Sequence, residues 1–420
     1  MRDVYIIGVG MTRFGKYLDQ SIKYLAHVSL EYALRDAGIN KEDIQSLWFS
    51  NSCWGYFNSQ HCIRGQVALR DFGIEEIPIF NVENACAGGA TALHSAWMGV
   101  GSGLYDCALA LGVEKLYDED KIKSFQAFWS AIDVEKIEDQ MADLMRILAG
   151  LKLQVPGRQE GEAGQNRSAF MDIYSAAACW HMECYGTTQH QLAVIASKNH
   201  FHSSMNPYAQ FQKKMSVEEV LAAREVSWPL TVPMCAPVGD GAAAAVLCSK
   251  DFLAKLKSPR PVKILASVLG SGSSRHYSED ERDIAVRLSR RVYEAAGVGP
   301  EDVSLAEVHD ATAFGELHQT EALGFCAFGE GGPFAESGAT ALGGKIPINT
   351  SGGLESRGHP IGASGLGQVN EIVTQLRHEA GDRQVEGCRL GLVENGGGNL
   401  GYEEAAMGVH ILERVAKSYM

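Results

Sequence analysis

A thiol and an imidazole are the residues best placed by type and context to do chemistry in this chain. Cys86 stands in Asn84-Ala85-Cys86-Ala87-Gly88-Gly89-Ala90, directly after the apolar run Ile77-Pro78-Ile79-Phe80. A strand entering a glycine-bearing turn and then a small-residue helix puts the thiol at a helix N-terminus. There the helix dipole is expected to lower its pKa and raise the thiolate fraction. His359 lies in Gly358-His359-Pro360-Ile361-Gly362-Ala363, before a second Gly-Ala helix start. A cysteine meeting a histidine is the minimum apparatus for an activated nucleophile. Each feature also has a plain structural reading: most cysteines are buried small hydrophobes, and a Gly-His-Pro tripeptide can simply open a helix.

What raises both above that reading is their place in a repeat. Ala37-Gly38-Ile39-Asn40-Lys41-Glu42-Asp43-Ile44 recurs as Ala296-Gly297-Val298-Gly299-Pro300-Glu301-Asp302-Val303. Each copy follows a helical pattern with one apolar stripe (Ala26, Leu30, Ala33, Leu34; Ile284, Leu288, Val292, Ala295), and each precedes a strand-like run. Gly89-Ala90-Thr91-Ala92-Leu93 is echoed by Gly362-Ala363-Ser364-Gly365-Leu366, and Cys107-Ala108-Leu109-Ala110-Leu111 by Cys388-Arg389-Leu390-Gly391-Leu392. Aligning the Gly-Ala copies puts His359 opposite Cys86. Two α/β halves packed about a pseudo-twofold axis would bring these helix starts together, with small-residue helices at the centre.

Between the halves lies an insertion, about residues 116–233. It carries helix-like stretches at Glu135–Leu148, Met171–Tyr185 and Gln189–His200 and a polar, glycine-bearing loop from Gln154 to Asn166. An insertion of this size at the strand ends of a sheet is expected to shape a pocket. The domain reading is residues 1–115 with 234–255 as one half, 116–233 as a loop domain over the substrate site, and 256–420 as the second half.

The bulk properties exclude several classes. With 420 residues and 45% hydrophobic content, the chain can bury one large core or two fused ones. A formal net charge of −14 argues against bulk attraction to nucleic acid or an anionic membrane, though not against one anionic cofactor. The strand-like opening Val4-Tyr5-Ile6-Ile7-Gly8-Val9-Gly10 makes a signal peptide unexpected, and with no run of about 18 or more apolar residues no membrane span is expected. The ten cysteines form no CxxC pair, which disfavours zinc ribbons and redox dithiols and suits a reduced, cytoplasmic setting. No metal site is expected. Lys198-Asn199-His200 with His202 has metal-like residues, but their helical spacing favours packing. Tyr174, Tyr185 and Tyr402 are weaker candidates for phenolic acids, and Gly8-Val9-Gly10 lacks the context of a dinucleotide site.

Taken in order, Asn84-Ala85-Cys86-Ala87-Gly88-Gly89, Val308-His309-Asp310-Ala311 and Gly358-His359-Pro360-Ile361-Gly362-Ala363 resemble the signature blocks of the thiolase superfamily, in particular its sterol-carrier-protein-2-like branch. Supporting blocks are His181-Met182-Glu183-Cys184-Tyr185-Gly186 and Cys235-Ala236-Pro237-Val238-Gly239-Asp240. The resemblance implies the thiolase fold: duplicated βαβαβαββ halves in an α/β/α/β/α stack. It implies that Cys86 takes the acyl group, that His359 activates it, and that His309 stands beside a first oxyanion hole with Asp310 orienting the region. The N–H groups of Cys86 and Gly396 would form a second oxyanion hole.

Two departures stand out. The family's C-terminal acid/base cysteine is replaced by Glu394, and the cysteine usual after His-Asp is Ala311. Glu394 is therefore expected to move the proton, desolvated between Val393 and a glycine run. The implied reaction is cleavage of a β-ketoacyl-CoA by coenzyme A, or the reverse Claisen condensation. The acyl group would be branched or aromatic, as in benzoylsuccinyl-CoA. A retro-aldolase acting on a β-hydroxyacyl-CoA and a non-catalytic scaffold or lipid-transfer subunit are the alternatives. Expected partners are a second copy of the chain and a small zinc-ribbon/OB-fold subunit.

Overall fold

The computed structural model describes residues 1–153, 163, 165 and 167–415. Most of the polar loop expected at 154–166 lies outside the described residues.

The first half runs β1 (Val4–Met11), α1 (Ile22–Ala37), β2 (Ser46–Ser50), β3 (Ile79–Val82), α2 (Gly88–Gly101) and β4 (Cys107–Glu114). The insertion follows, with α3 (Ile137–Gly150), α4 (Ala169–Tyr185), α5 (Gln189–Ser203) and a hairpin of β5 (Glu225–Ser227) and β6 (Leu230–Thr231). β7 (Gly241–Ser249) then returns to the first half. The second half runs β8 (Val262–Ser271), α6 (Ile284–Ala296), β9 (Leu305–Glu307), α7 (Ala313–Ala322), α8 (Ser364–Leu376), β10 (Leu390–Gly397) and β11 (Ala406–Arg414).

The strand order β3-β2-β4-β7-β1-β8-β11-β10-β9 consists of two half-sheets. Among the described residues their strands pair with each other only through Tyr5 opposite Lys263 and Ile6 opposite Val262. Each half pairs its βαβ strands in parallel (β2 with β3 and β4; β9 with β10) and its returning strand antiparallel. The edge strand equivalent to β3 shrinks in the second half to a single parallel bridge between Ala306 and Ile348. Read this way the halves are the same unit.

The repeated sequence block does the same work twice. α1 is capped by Ser21, which accepts from Tyr24 N, and stops at Gly38 in the left-handed region (φ 67°). α6 is capped by Asp283 and stops at Gly297 (φ 70°). Glycine enters that region without the Cβ penalty, which explains why it recurs at both stops. A 3₁₀ turn and a strand follow each.

The cores follow the layers. α1 covers one outer face with Leu25, Leu30 and Leu34 over Leu47, Leu109 and Val246. α6 covers the other with Ile284, Leu288 and Val292 over Val409 and Ile411. α2 and α8 lie between the half-sheets, where Leu93, Ala96, Leu366 and Val369 meet Ala110, Ala245 and Val393. This is the thiolase α/β/α/β/α stack. The central helices approach at backbone distance: a Cβ on Gly89 would lie 2.9 Å from Leu366 N and 3.0 Å from Gly365 N. One on Gly112 would lie 2.1 Å from Gly362 O. These contacts bring the two Gly-Ala motifs, and the residues they carry, to one place.

Candidate active site

Cys86 sits in a 3₁₀ turn, Ala85–Ala87, between β3 and α2. Ala85 holds φ 47°, a conformation non-glycine residues adopt at a cost of order 1–3 kcal/mol. The turn is held by Ala87 N donating to Asn84 O (2.9 Å) and by Asn84 Nδ2 donating to Thr91 Oγ1 (2.9 Å). The end of β10 packs directly on it, since a Cβ at Gly397 would lie 2.3 Å from Ala87 N and 2.8 Å from Cys86 N. The main-chain N–H of Gly398 and that of Cys86 itself point to the sulfur. The expected partner, Gly396, is instead inside β10 opposite Met407. The chain leaves the sheet after Gly397 and turns at Gly398 (φ 65°), whose N–H is near enough to the sulfur to favour the thiolate.

The expectation of a lowered thiol pKa is corrected as well. Burial pushes the Cys86 thiol up to about 12, against the N–H of Gly398, with Glu83 and Glu114 adding to the rise. Only 9% of Cys86 is exposed. A short helix entrance does not offset that desolvation.

His359 and His309 complete the group. One ligand-type atom from each of Cys86, His309 and His359 lies within 4.8 Å of the others. The rings sit edge to face with centroids 5.2 Å apart. Ser364 Oγ donates its one proton to Pro360 O (3.1 Å), so it accepts from His359 Nδ1 at 2.8 Å. That fixes the proton on Nδ1 and leaves Nε2 as a lone-pair acceptor. Asn395 Nδ2 donates to His309 Nδ1 at 3.2 Å, which leaves the His309 proton on Nε2 as a donor. Both rings stay neutral: burial holds His309 down at about 3, and burial, with His309 and Arg357 nearby, holds His359 well below its usual value. The site thus has a base and a donor side by side. Sulfur and two imidazoles at this spacing could also hold a soft divalent ion, which would block the nucleophile.

Asp310 faces away from the thiol. Its Oδ1 accepts from Leu354 N (2.7 Å) and its Oδ2 from Glu355 N (3.4 Å), fixing the turn that leads to His359. Glu394 is fully buried; its Oε2 accepts from His309 N at 2.7 Å, and its Oε1 has no partner among the described residues. Burial raises its carboxyl well above the usual range against that N–H, as expected, but Glu394 does not line the cavity. Its contact is with the His309 backbone.

The cavity over Cys86 has a volume of about 500 Å³. His309, His359, Ala311 and Glu404 line it, and the insertion contributes Phe128, Phe170, Tyr174 and Arg224 among others. A narrower cavity of about 80 Å³ adjoins it, sharing Phe170, Tyr174, Gly398 and Glu404 and walled by Trp180, Tyr277 and Tyr402.

Comparison with known proteins decides the family. The model "Thiolase, N-terminal domain" matches residues 4–227 and "Thiolase C-terminal domain-like" matches 273–414. The chain belongs to the thiolase family. This thiolase is 38% identical to "Acetyl-CoA acetyltransferase" of Methanothermobacter thermautotrophicus, over 99% of this chain and 100% of that one. It is 37% identical to "Sterol carrier protein 2" of Gallus gallus, over 94% of this chain and 69% of that one. It is 34% identical to "Benzoylsuccinyl-CoA thiolase subunit BbsB" of Thauera aromatica, over 92% of each. Among solved structures, "Ltp2-ChsH2(DUF35) aldolase" matches with a TM-score of 0.76 at 23% identity, over 99% of both chains. By family the thiolase is an acyltransferase.

Sequence reading missed four residues of this thiolase's site. Ser364 and Asn395 set the two imidazole tautomers, and Gly398 and Glu404 line the cavity. Ser364 stands within the quoted Gly-Ala repeat, so its place was visible although its partner was not. Glu404 sits in an irregular turn before β11 with no local signal. The Lys198–His202 group is packing, as expected: His200 Nε2 reaches Pro233 O, His202 Nδ1 reaches Asn349 O, and Lys198 pairs with Glu316 at 2.6 Å. Among the described residues, no helix is long and apolar enough to cross a membrane.

Proposed function

We propose that this thiolase cleaves a β-ketoacyl-CoA with coenzyme A through an acyl thioester on Cys86, or runs the reverse Claisen condensation. The single observation that supports the reading is the Cys86–His359–His309 cluster, with ligand-type atoms within 4.8 Å of one another, at the wall of a cavity of about 500 Å³. Bound substrate brings the β-carbonyl to the sulfur. Cys86 then gives its proton to His359 Nε2 as it attacks, and the N–H groups of Cys86 and Gly398 receive the oxyanion. His309 Nε2–H faces the thioester oxygen, where the enolate charge develops when the Cα–Cβ bond breaks. Asp310 acts at one remove, by holding the turn before His359.

The acyl group in this reading is branched or aromatic. Phe128, Phe170 and Tyr174 on the cavity wall support it, and so does a relative named for benzoylsuccinyl-CoA. Residues 116–233 act as the covering domain, 1–115 with 234–255 and 256–420 as the two halves. A homodimer across the exposed edge strand β3 and a small zinc-ribbon/OB-fold subunit complete the proposal; a solved neighbour whose description includes DUF35 supports the latter. Ten free cysteines support a cytoplasmic setting.

The test is turnover of a panel of CoA thioesters, including acetoacetyl-CoA and benzoylsuccinyl-CoA, read with intact-protein mass. The reading requires CoA-dependent cleavage and an acyl adduct that Cys86→Ala abolishes. A β-hydroxyacyl-CoA cleaved equally well by Cys86→Ala would make the protein a retro-aldolase. No thioester turnover with any partner present would leave a scaffold or lipid-transfer subunit.

A further inference from the structure

Thiolytic cleavage needs a group that moves a proton at the α-carbon of the departing acyl-CoA, and the two positions where the family places a thiol hold Ala311 and Glu394. We propose that Glu404 is that catalytic residue, an inference that rests on the thiolase reading above.

Glu404 lines both cavities at their junction, beside Gly398, whose N–H points at the Cys86 sulfur. It covers Gly396, two residues after Glu394: a Cβ there would lie 2.9 Å from Glu404 Cγ and 3.4 Å from Glu404 Cδ, and 3.5 Å from Glu394 Oε1. Both carboxyls thus lie on the face a Gly396 Cβ would occupy, and of the two only Glu404 lines the cavities. Tyr174 lines both cavities together with Glu404. Gln319 Nε2 donates to Glu404 Oε1 at 3.3 Å and steadies the carboxyl.

The other carboxylates are held by main-chain N–H groups of the backbone around the site. Glu83 also lines the cavity, but its Oε1 accepts from Ala85 N at 2.5 Å and Ser52 Oγ at 3.0 Å and so holds the nucleophile's turn. Asp310 is tied to Leu354 N, and Glu394 to His309 N. Burial, and then Asp283, raise the Glu404 carboxyl above its usual range, while His318 and Arg275 pull the other way. Such a rise brings the carboxyl nearer the range in which one group can both give and take a proton.

The protons balance. Cys86 gives one to His359 and attacks the β-carbon. The Cα–Cβ bond breaks, its electron pair passes into the enolate, and protonated Glu404 delivers its proton to Cα. The Glu404 carboxylate then takes the proton of the CoA thiol, whose sulfur attacks the acyl-Cys86 carbonyl. Cys86 leaves as thiolate and recovers its proton from His359. The sum is β-ketoacyl-CoA plus CoA giving two acyl-CoA molecules.

The test reads α-proton chemistry directly, using acetyl-CoA as the probe. Deuterium entry from D₂O into the acetyl methyl group is measured alongside acyl-Cys86 formation by intact mass. Glu404→Gln is expected to lose at least ~100-fold in exchange and to slow acyl-Cys86 formation as well, because the same carboxyl protonates departing CoA, while alkylation of Cys86 by iodoacetamide stays within about tenfold of wild type and shows that the variant is folded. Glu404→Asp is expected to keep measurable exchange with a displaced pH profile, and it decides the matter if Glu404→Gln does not fold. Exchange at the wild-type rate in Glu404→Gln, or an unmoved pH profile in Glu404→Asp, overturns the assignment. So does exchange lost in Glu394→Gln alone. A wild-type protein with neither adduct nor exchange sinks the thiolase reading, and this inference with it.

Discussion

The resting state of Cys86 can be tested without knowing the substrate. With the thiol pushed from an ordinary value of 9.0 up to about 12, its thiolate fraction at pH 7 falls from about 10⁻² to about 10⁻⁵. Three pH units correspond to about 4 kcal/mol against ionisation. His359 cannot supply this as a resting imidazolium, because burial keeps it neutral and its Nδ1 proton is already held by Ser364. The free enzyme is therefore a thiol beside a neutral imidazole, and proton transfer waits for substrate. Alkylation of Cys86 by iodoacetamide should rise about tenfold per pH unit from pH 6 to beyond pH 9, with no plateau. Peptide mass spectrometry isolates Cys86 from the exposed Cys62 and Cys184. The slope is the readout, since burial slows the absolute rate whatever the ionisation. A rate that levels between pH 5 and 8 means a preformed thiolate–imidazolium pair, and the reasoning from burial is then wrong.

Three further outcomes follow from the geometry. Ser364→Ala leaves the His359 Nδ1–H without its partner, so acylation of Cys86 should slow by roughly 10–100-fold with little change in KM, as stopped-flow with a CoA thioester would show. Gly112→Ala drives a Cβ to 2.1 Å from Gly362 O, and with backbone as the obstacle it should cost at least ~2 kcal/mol in denaturant unfolding. Burial opposes ionisation of Asp283, but His318 and Arg275 win and hold its carboxyl down at about 2. The depressed pKa means that its stabilisation, of order 2 kcal/mol, is present above about pH 4 and lost as pH falls toward 2. His318 is shifted the opposite way, raised by Asp283 against burial, so its share is full below about pH 6.5 and fades as pH rises through its folded value. Thermal melts of Asp283→Asn should show lower stability at pH 5 and a flatter acid limb; a melting curve superimposable on wild type from pH 3 to 7 would contradict this.

The amino-acid sequence by itself determined what short-range chemistry determines. Gly38 and Gly297 stop their helices wherever the left-handed turn is needed, so the duplicated blocks were readable and the layered fold with them. The small residues of α2 and α8 carried the same message, because only glycine allows contacts like that of Gly89 with Leu366. Cys86, His309 and His359 were legible for the same reason, each embedded in a local backbone motif. Tertiary structure alone decided the rest. The thiol's pKa depends on how much water the insertion and the second half exclude, which overrode the helix-terminus expectation. Whether Gly396 or Gly398 lies by the sulfur depends on where β10 leaves its sheet, and whether Glu394 or Glu404 lines the cavity depends on how the turn before β11 packs over β10. Such quantities are sums over groups distant in the chain, and no local pattern encodes them.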